Sequence, residues 1–376
     1  MSKLFEPLTL RGVTLPNRTM ISPMCMYSAQ EGFADDFHLV HLGRFALGGF
    51  GLVMVESAAV ENRGRITYGD VGIWSDDHIA PLKKVAGFLK ANGSVPAIQL
   101  GHSGWKGSMQ RPWEGDGKLT DEQFAKGETP WDIVGVGAEP FIDGWLNPHQ
   151  LTPEELLQVT ESYRAATRRA FEAGFEVVEM HAAHGYLLSS FLSPLSNKRK
   201  DEYGGDRQRR FRFPLEVAKT IRDEWPAHLP MFVRVSAVDY VPGGVEIEDT
   251  VEFAKQLKEL GVDLVDCSSA GVSPHGRPPR AFGFQVPFAD RVKHEAGLPT
   301  AAVGLITKPE QAEHILAEGK ADLIAIAREA LINPNWALSA RAALSPTQNA
   351  DFDEWPTQYK VWLVNRQRVL REIELA

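Results

Sequence analysis

The stretch MFVRVSAVDYVPGGVEIEDTVEFAKQLKELGVDLVDCSSA, residues 231–270, holds two short apolar, β-branched runs with a helical pattern between them. MFVRVSA (231–237) and LVDCSSA (264–270) have the length and composition of strands. IEDTVEFAKQLKELG places its apolar residues at helical spacing and ends at Gly261, a residue suited to a helix C-cap. Outward from this unit the alternation continues almost throughout. Further strand-like runs are RTMISPM (18–24), LVMVESAAV (52–60), VPAIQLGH (95–102), FEVVEMH (175–181), PTAAVG (299–304) and DLIAIA (322–327), and KPEQAEHILAEG precedes the last of them as another helix ending in glycine. Eight strand-then-helix units in one chain predict an α/β protein with a (β/α)8 TIM barrel. A doubly wound open sheet is the alternative. It would want a glycine-rich phosphate loop, and no G-x-G-x-x-G follows an early strand.

Two regions fall outside the repeat. LFEPLTLRGVTLPN (4–17), with alternating apolar residues around Arg-Gly, predicts a hairpin closing the barrel floor. Residues 103–152, after the third strand, form a long Gly/Pro-rich loop containing Trp105, Trp113, Trp131 and Trp145. A loop of that length is a lid, a binding loop or an interface, or its aromatics make a small satellite core.

The 376 residues suffice for one large barrel with a sizeable core. A net charge of -9 argues against a nucleic-acid surface, which needs clustered excess Lys and Arg. The one basic cluster, RQRRFR (207–212), is expected to be a solvated or ion-paired helix face. No apolar run approaches the roughly 18 to 20 residues of a membrane span, and MSKLFEPLTL lacks a signal-peptide core, so a soluble, cytoplasmic protein is expected. Cys25 and Cys267 cannot form a disulfide framework or a four-cysteine metal site.

Barrel enzymes place their chemistry at the C-terminal strand ends. Those ends supply Pro23, Met24, Cys25 and Tyr27 from the first strand, Glu56 and Ser57 from the second, and Gln99 and His102 from the third. The fourth strand hands over at EMHAAHGYLL (179–188) to His181, His184 and Tyr186. Histidines three apart face opposite ways in a continuing strand, so they converge only if the strand stops near His181 and the chain turns, which Gly185 allows. Arg234 is the one charge in an otherwise apolar strand, and a buried guanidinium is costly without an anion. Its partner is either a nearby carboxylate or a bound anion. Gly304 and Arg328 end the seventh and eighth strands, the usual phosphate site of this fold, which suggests a phosphorylated cofactor across the barrel mouth.

His181 and His184 as metal ligands would make a metal-dependent barrel hydrolase or lyase, but HxxH lacks the HExxH pattern and no acidic residue follows within a turn. Satisfied core histidines are the bland alternative. No local histidine partners Cys25 as a nucleophile. Tyr186 beside two histidines fits a general acid next to a polar clamp for a carbonyl oxygen.

At this point the chain resembles a known family. SPMCMYSA, HLVHLGRFALGGFGLVMVESAAV, IQLGHSGWK, EMHAAHGYLLSSFLSPLSNKRKDEYGG, RVSA, AVGLIT and AIAREAL, collinear over about residues 4–340, are similar to the Old Yellow Enzyme family of FMN-dependent ene-reductases. Within it the chain most resembles the bacterial cysteine-containing branch that includes the xenobiotic reductases. The resemblance implies FMN, with NADPH or NADH as reductant. It implies Pro23, Met24 and Cys25 along the flavin ring, Ser57 and Gln99 at its edge, Arg234 at the N1/O2 side, and Gly304, Ala327 and Arg328 at the phosphate. Tyr27, His181, His184 and Tyr186 would form the substrate site. There the histidines hold a carbonyl oxygen, flavin N5 delivers hydride to an activated alkene, and Tyr186 gives the proton. A flavin-binding protein without catalysis is the remaining alternative.

Three departures from the family pattern stand out. YGGDRQRR has Asp206 and Arg209 where relatives read Ser and an Asn-Arg pair, and Asp206 is a good helix N-cap. Ala327 replaces a common glycine, and Val303 a tryptophan of some xenobiotic reductases. The expected organisation is an FMN-binding barrel over residues 1–345 and a tail over 346–376. In the tail, Pro356 is expected to break a preceding helix, with YKVW (359–362) before a final helical segment. The related branch sends a tail residue into a neighbouring subunit's active site. Trp362 is the candidate here, and a homodimer or dimer of dimers follows. The alternative packs Tyr359 and Trp362 on their own barrel.

Overall fold

In the computed structural model, which describes residues 2–345 and 352–375, eight parallel strands close into a barrel. They are β1 (Thr19–Ile21), β2 (Leu52–Ala59), β3 (Val95–Gly101), β4 (Val177–Ala182), β5 (Met231–Ser236), β6 (Leu264–Ser268), β7 (Thr300–Ala302) and β8 (Leu323–Ile326). Each pairs with its sequence neighbours, and β8 pairs with β1. Every strand residue is buried, as expected where side chains fill the barrel on one face and meet helices on the other. The (β/α)8 expectation is borne out, with each strand inside the stretch read for it except β4, which runs one residue further to Ala182.

Local chemistry sets the helix boundaries. Thr152 caps Pro153–Glu172 by accepting Glu155 N–H, with proline in the first turn. Asp206 caps Arg207–Glu224 by accepting Arg209 N–H at 3.0 Å. The basic run in that second helix is ion-paired as expected: Arg207 meets Asp249 at 2.6 Å, and Arg212 bonds Glu202.

The N-terminal hairpin pairs Leu8–Leu10 with Val13–Leu15 and seals the barrel floor. Arg11 at its tip donates to Asp263 Oδ1 at 2.6 Å and to the carbonyls of Ala227 and Gly261, at the feet of β5 and β6.

Register organises the polar interior. Gln99 pairs with Glu179, while Arg234 on β5 pairs with both His181 on β4 and Asp266 on β6. Paired residues on parallel neighbours share a face, so these side chains form two successive polar layers. In β2 the register shifts between Val55 and Ser57, a bulge that turns Ser57 to the side of Gln99 and leaves Glu56 to accept Met26 N–H at 3.1 Å.

Within the 103–152 loop the aromatics divide. Trp105, Phe141 and Trp145 stack edge-on as a satellite cluster, with centroids 5.5 and 5.6 Å apart. Trp113, in contrast, is 65% exposed and lies edge-on to Tyr27 at 6.3 Å.

The tail departs from expectation in one respect. A single helix, Thr357–Glu374, begins directly after Pro356, so YKVW lies in its first turns rather than before it. Proline's fixed φ suits the edge of a helix, where its missing N–H costs nothing. The boundary read at 345/346 meets residues 346–351, outside the described residues. No described helix is long and apolar enough to cross a membrane.

Candidate active site

β4 ends at Ala182, and two left-handed residues follow, His184 at φ 62° and Gly185 at φ 73°. This turn brings the histidines together as their spacing required. The rings of His181 and His184 stand 5.1 Å apart, with Tyr186 5.2 Å from His181. A left-handed conformation is costly at a non-glycine residue, and neighbours hold it. His184 N–H donates to Ser236 Oγ at 2.8 Å, and Lys106 Nζ donates to the carbonyls of His184 at 2.9 Å and Gly271 at 2.5 Å. Gly185 packs so closely on the turn after β6 that a Cβ there would lie 2.2 Å from Gly271 O.

Hydrogen bonds fix the first tautomer. Ala183 N–H donates to His181 Nδ1 at 3.2 Å, so a neutral His181 carries its proton on Nε2. That N–H faces His184 Nδ1 at 3.4 Å, while His184 Nε2 meets Ser268 Oγ at 2.8 Å. Both rings are neutral. Burial first, then the charges of Arg234 and Lys106, hold His181 down at about 3, and burial with Arg234 depresses His184 well below the usual range.

Tyr27 and Tyr186 complete the cluster. Burial pushes both phenols up, aided by the neighbourhood of Cys25, so each stays protonated. Lys106 lies 5.5 Å from the Tyr186 ring and 4.1 Å from that of Phe141. Burial pulls its pKa down to about 8, against the pull of Asp116. A cavity of about 940 Å³ flanks this cluster behind Trp105, walled by Phe141, Arg199, Val272 and His275, among others. The histidine pair and Tyr186 lie outside its lining. The convergent side chains thus stand apart from this cavity.

In register with His181 on the next strand stands Arg234. Its Nε is 3.3 Å from Asp266 Oδ2, and Nη1 donates to Ser22 Oγ at 2.9 Å. The burial argument that called for an anion is thus met from within by a carboxylate on the next strand. Nε nevertheless makes no hydrogen bond.

Pro23, Met24 and Cys25 are half-buried in the loop that follows β1. The Cys25 thiol is pushed well up by burial, then by Glu56 and Asp70, so it stays a thiol and not a thiolate nucleophile. Ser57 packs tightly against β3, its Oγ only 2.0 Å from where a Cβ on Gly101 would sit. Gln99 donates from Nε2 to Glu179 Oε1 at 2.8 Å.

Across the mouth, Gly304 adopts φ 112°, a conformation glycine alone takes easily, and Ala327 precedes the short helix Arg328–Ile332. Arg328 is exposed, and its guanidinium has no hydrogen-bond or ion-pair partner among the described residues. Trp362 does not join the site: it is 73% exposed on the tail helix.

Several residues of the site went unread in the sequence. Glu179 and Asp266 had a visible signal, a carboxylate inside an apolar strand. Lys106, Ser268 and Trp113 had none, because their roles depend on which loops meet.

A neutral imidazole–phenol cluster at the head of β4, with a cation unpaired among the described residues at the β7–β8 end, suits a flavin-dependent barrel oxidoreductase. The chain belongs to the NADH:flavin oxidoreductase / NADH oxidase family, whose sequence model matches residues 3–346. It is 43% identical over 350 residues to the NADPH dehydrogenase of Geobacillus sp. (strain WCH70), covering 92% of this chain and 96% of that one. In fold it is similar to 2-naphthoyl-CoA reductase in complex with 2-naphthoyl-CoA, at TM-score 0.81 and 25% identity, covering 93% of this chain and 53% of that longer one. It is also similar to the Old Yellow Enzyme homologue from Zymomonas mobilis, at TM-score 0.73 and 21% identity, covering 92% and 93%. The resemblance to Old Yellow Enzymes is borne out, and the chain is an oxidoreductase enzyme that uses FMN with a nicotinamide reductant. The hydrolase and non-catalytic readings fall with that assignment. The residues present fit FMN: the buried Arg234 Nε has donor capacity to spare, and Gly304 with the unpaired Arg328 suits a phosphate.

Proposed function

We propose that the chain is an ene-reductase of the cysteine-containing branch, reducing the C=C bond of activated alkenes such as enones and possessing some reach toward nitro-compounds. The observation that carries this reading is the facing pair His181 Nε2 and His184 Nδ1, 3.4 Å apart beside a protonated Tyr186. Ala183 N–H keeps the His181 proton on Nε2. If Ser268 O–H donates to His184 Nε2, the His184 proton sits on Nδ1, and the two N–H groups turn from each other toward a common acceptor lying above both nitrogens. A carbonyl oxygen is such an acceptor, and the bonds it accepts strengthen as negative charge builds on it.

Bound FMN would supply the redox chemistry, hydride transfer between a nicotinamide and the alkene. The protein residues orient and exclude. Pro23, Met24 and Cys25 would line the ring, Ser57 and Gln99 would bond its edge, and Arg234 would face its N1/O2 side. Gly304, Ala327 and Arg328 would hold the phosphate. Tyr27 and Trp113 wall the mouth against water, and the Tyr186 hydroxyl moves its proton to the α-carbon.

The tail supports an assembly of copies. Val361, Trp362 and Ile373 are 60%, 73% and 66% exposed, too much apolar surface for a helix left in water. The helix therefore docks on a second copy in a homodimer or dimer of dimers, with Trp362 as an apolar wall above the neighbouring flavin. The deciding experiment reduces the purified yellow protein with NADPH and then adds cyclohexenone. Re-oxidation with formation of cyclohexanone is expected; a reduced spectrum that ignores the enone would sink the reading.

A further inference from the structure

Two buried carboxylates lie in the field of one guanidinium inside the barrel. Glu179 on β4, one layer below Arg234 on β5, and Asp266 on β6, in register with Arg234, are both 0% exposed. Arg234 Nε lies 3.3 Å from Asp266 Oδ2, and Glu179 Oε1 accepts from Gln99 Nε2 at 2.8 Å. The remaining oxygens, Glu179 Oε2 and both of Asp266, have no hydrogen-bond donor. Besides these the neighbourhood offers Ser22 from the end of β1 and the neutral His181 one layer above.

Charge counting makes this arrangement unstable as fully ionised. Two anions against one cation leave a net negative charge in an enclosed, water-poor core, at a cost that a single proton removes. Carboxylates that share a site cannot both ionise freely. Glu179 is the better holder, because the guanidinium contact lies with Asp266. Burial first, then Asp266, raise Glu179 to about 8, against the pull of Arg234 and Gln99.

We infer that Glu179 and Asp266 hold one proton between them in the barrel core, and that Glu179 takes up a proton when flavin reduction places negative charge on the far side of Arg234. This rests on the proposed placement of Arg234 at the flavin N1/O2 side. The step balances simply. Hydride from the nicotinamide brings two electrons and one proton to the flavin site and leaves one net negative charge there. That charge draws on Arg234 and weakens its hold on the carboxylates, and a proton from solvent converts ionised Glu179 to the acid. Re-oxidation by the alkene returns it. Glu179 is thus a positioning residue acting through Arg234 and Gln99.

The uptake belongs to the pH range where Glu179 is ionised in the oxidised protein, above about 8. Spectroelectrochemical titration of FMN bound to the intact protein, from about pH 7 to about pH 10, reads it directly. The wild type should change from one proton per two electrons to two as pH passes 8, doubling the slope of potential against pH. Glu179→Gln should keep the one-proton slope throughout. Infrared difference spectra of the same holoprotein should show a protonated-carboxyl C=O band appearing on reduction above pH 8, absent in E179Q. Should E179Q fail to retain FMN, Asp266→Asn serves, since losing the second anion should also remove the break. An unbroken slope in the wild type, or the same break in E179Q and D266N, would overturn the inference. A carboxyl band that titrates with pH but ignores reduction overturns the coupling and, separately, the placement of Arg234, while leaving enone reduction untouched as a reading.

Discussion

Replacing Gly185 with alanine tests whether the loops after β4 and β6 act as one unit. Gly185 sits at φ 73°, and a left-handed alanine costs about 1–2 kcal/mol. The added Cβ would stand 2.2 Å from Gly271 O and 2.7 Å from Val272 Cα, both backbone atoms. Neither can rotate away as a side chain would, so the loops must part by roughly 1 Å to restore ordinary contact. Lys106 cannot follow both carbonyls that it now bonds, and His184 is anchored on the moving side by that same lysine. A misplacement of about 1 Å in a positioning group costs roughly 10²-fold in rate. Gly185→Ala should therefore fold, with a lowered melting temperature, and re-oxidise about a hundredfold more slowly with enone in stopped-flow. Phenol binding, read from flavin absorbance, should weaken in parallel. A variant with lowered stability but wild-type re-oxidation would show that the histidine pair does not depend on this contact, and the clamp argument would be refuted.

Three other outcomes follow from the same geometry. Tyr186→Phe removes the buried phenol proton and should slow re-oxidation by enone by about 10²- to 10⁴-fold while reduction by NADPH stays near normal; equal loss in both half-reactions would move the acid elsewhere. Arg328→Ala takes away the unpaired cation near Gly304, and loss of a charge-assisted hydrogen bond of roughly 1.5–3 kcal/mol should raise the FMN dissociation constant ten- to a hundredfold by fluorescence titration. An unchanged constant would remove Arg328 from the phosphate site. Burial raises Glu56 to about 8, so the folded protein binds a proton there that the unfolded chain has lost; its contribution to stability is complete below pH 4.5 and is lost as pH rises through 8. The melting temperature should fall over that range, and Glu56→Gln, which can still accept Met26 N–H, should flatten the fall; identical slopes would exclude Glu56.

The barrel was legible because its signals are local. Most strands are short β-branched runs, and several helices carry their own stop, as Gly261 and Gly319 do at left-handed positions. The convergence of His181 and His184 was legible too, since strand geometry forces a turn between them. What escaped depends on distant loops meeting. Lys106 acts on His184 and Gly271, 78 and 165 residues away, and no spacing in the sequence marks that meeting. Arg234 is the intermediate case. Its need for an anion could be read, but the answer, Asp266, required the register of β5 against β6. Pro356 was read as a break because a proline signals a helix boundary without saying which side the helix takes.

The clasp made by Arg11 has a consequence for how such an enzyme can change. Asp263, which takes the Arg11 guanidinium and also Met231 N–H, stands at the foot of β6, whereas Ser268 stands at its head beside His184. Five residues of extended chain, about 16 Å, separate the two. The fastening of the scaffold and the shaping of the reaction are thus assigned to opposite ends of one strand. Mutational drift in the upper loops can redraw which substrates are welcome while the lower rim goes on keeping the barrel shut. A library confined to residues 103–152 and 269–285 should accordingly yield altered substrate scope with few casualties in folding, and a library along the floor should yield the reverse.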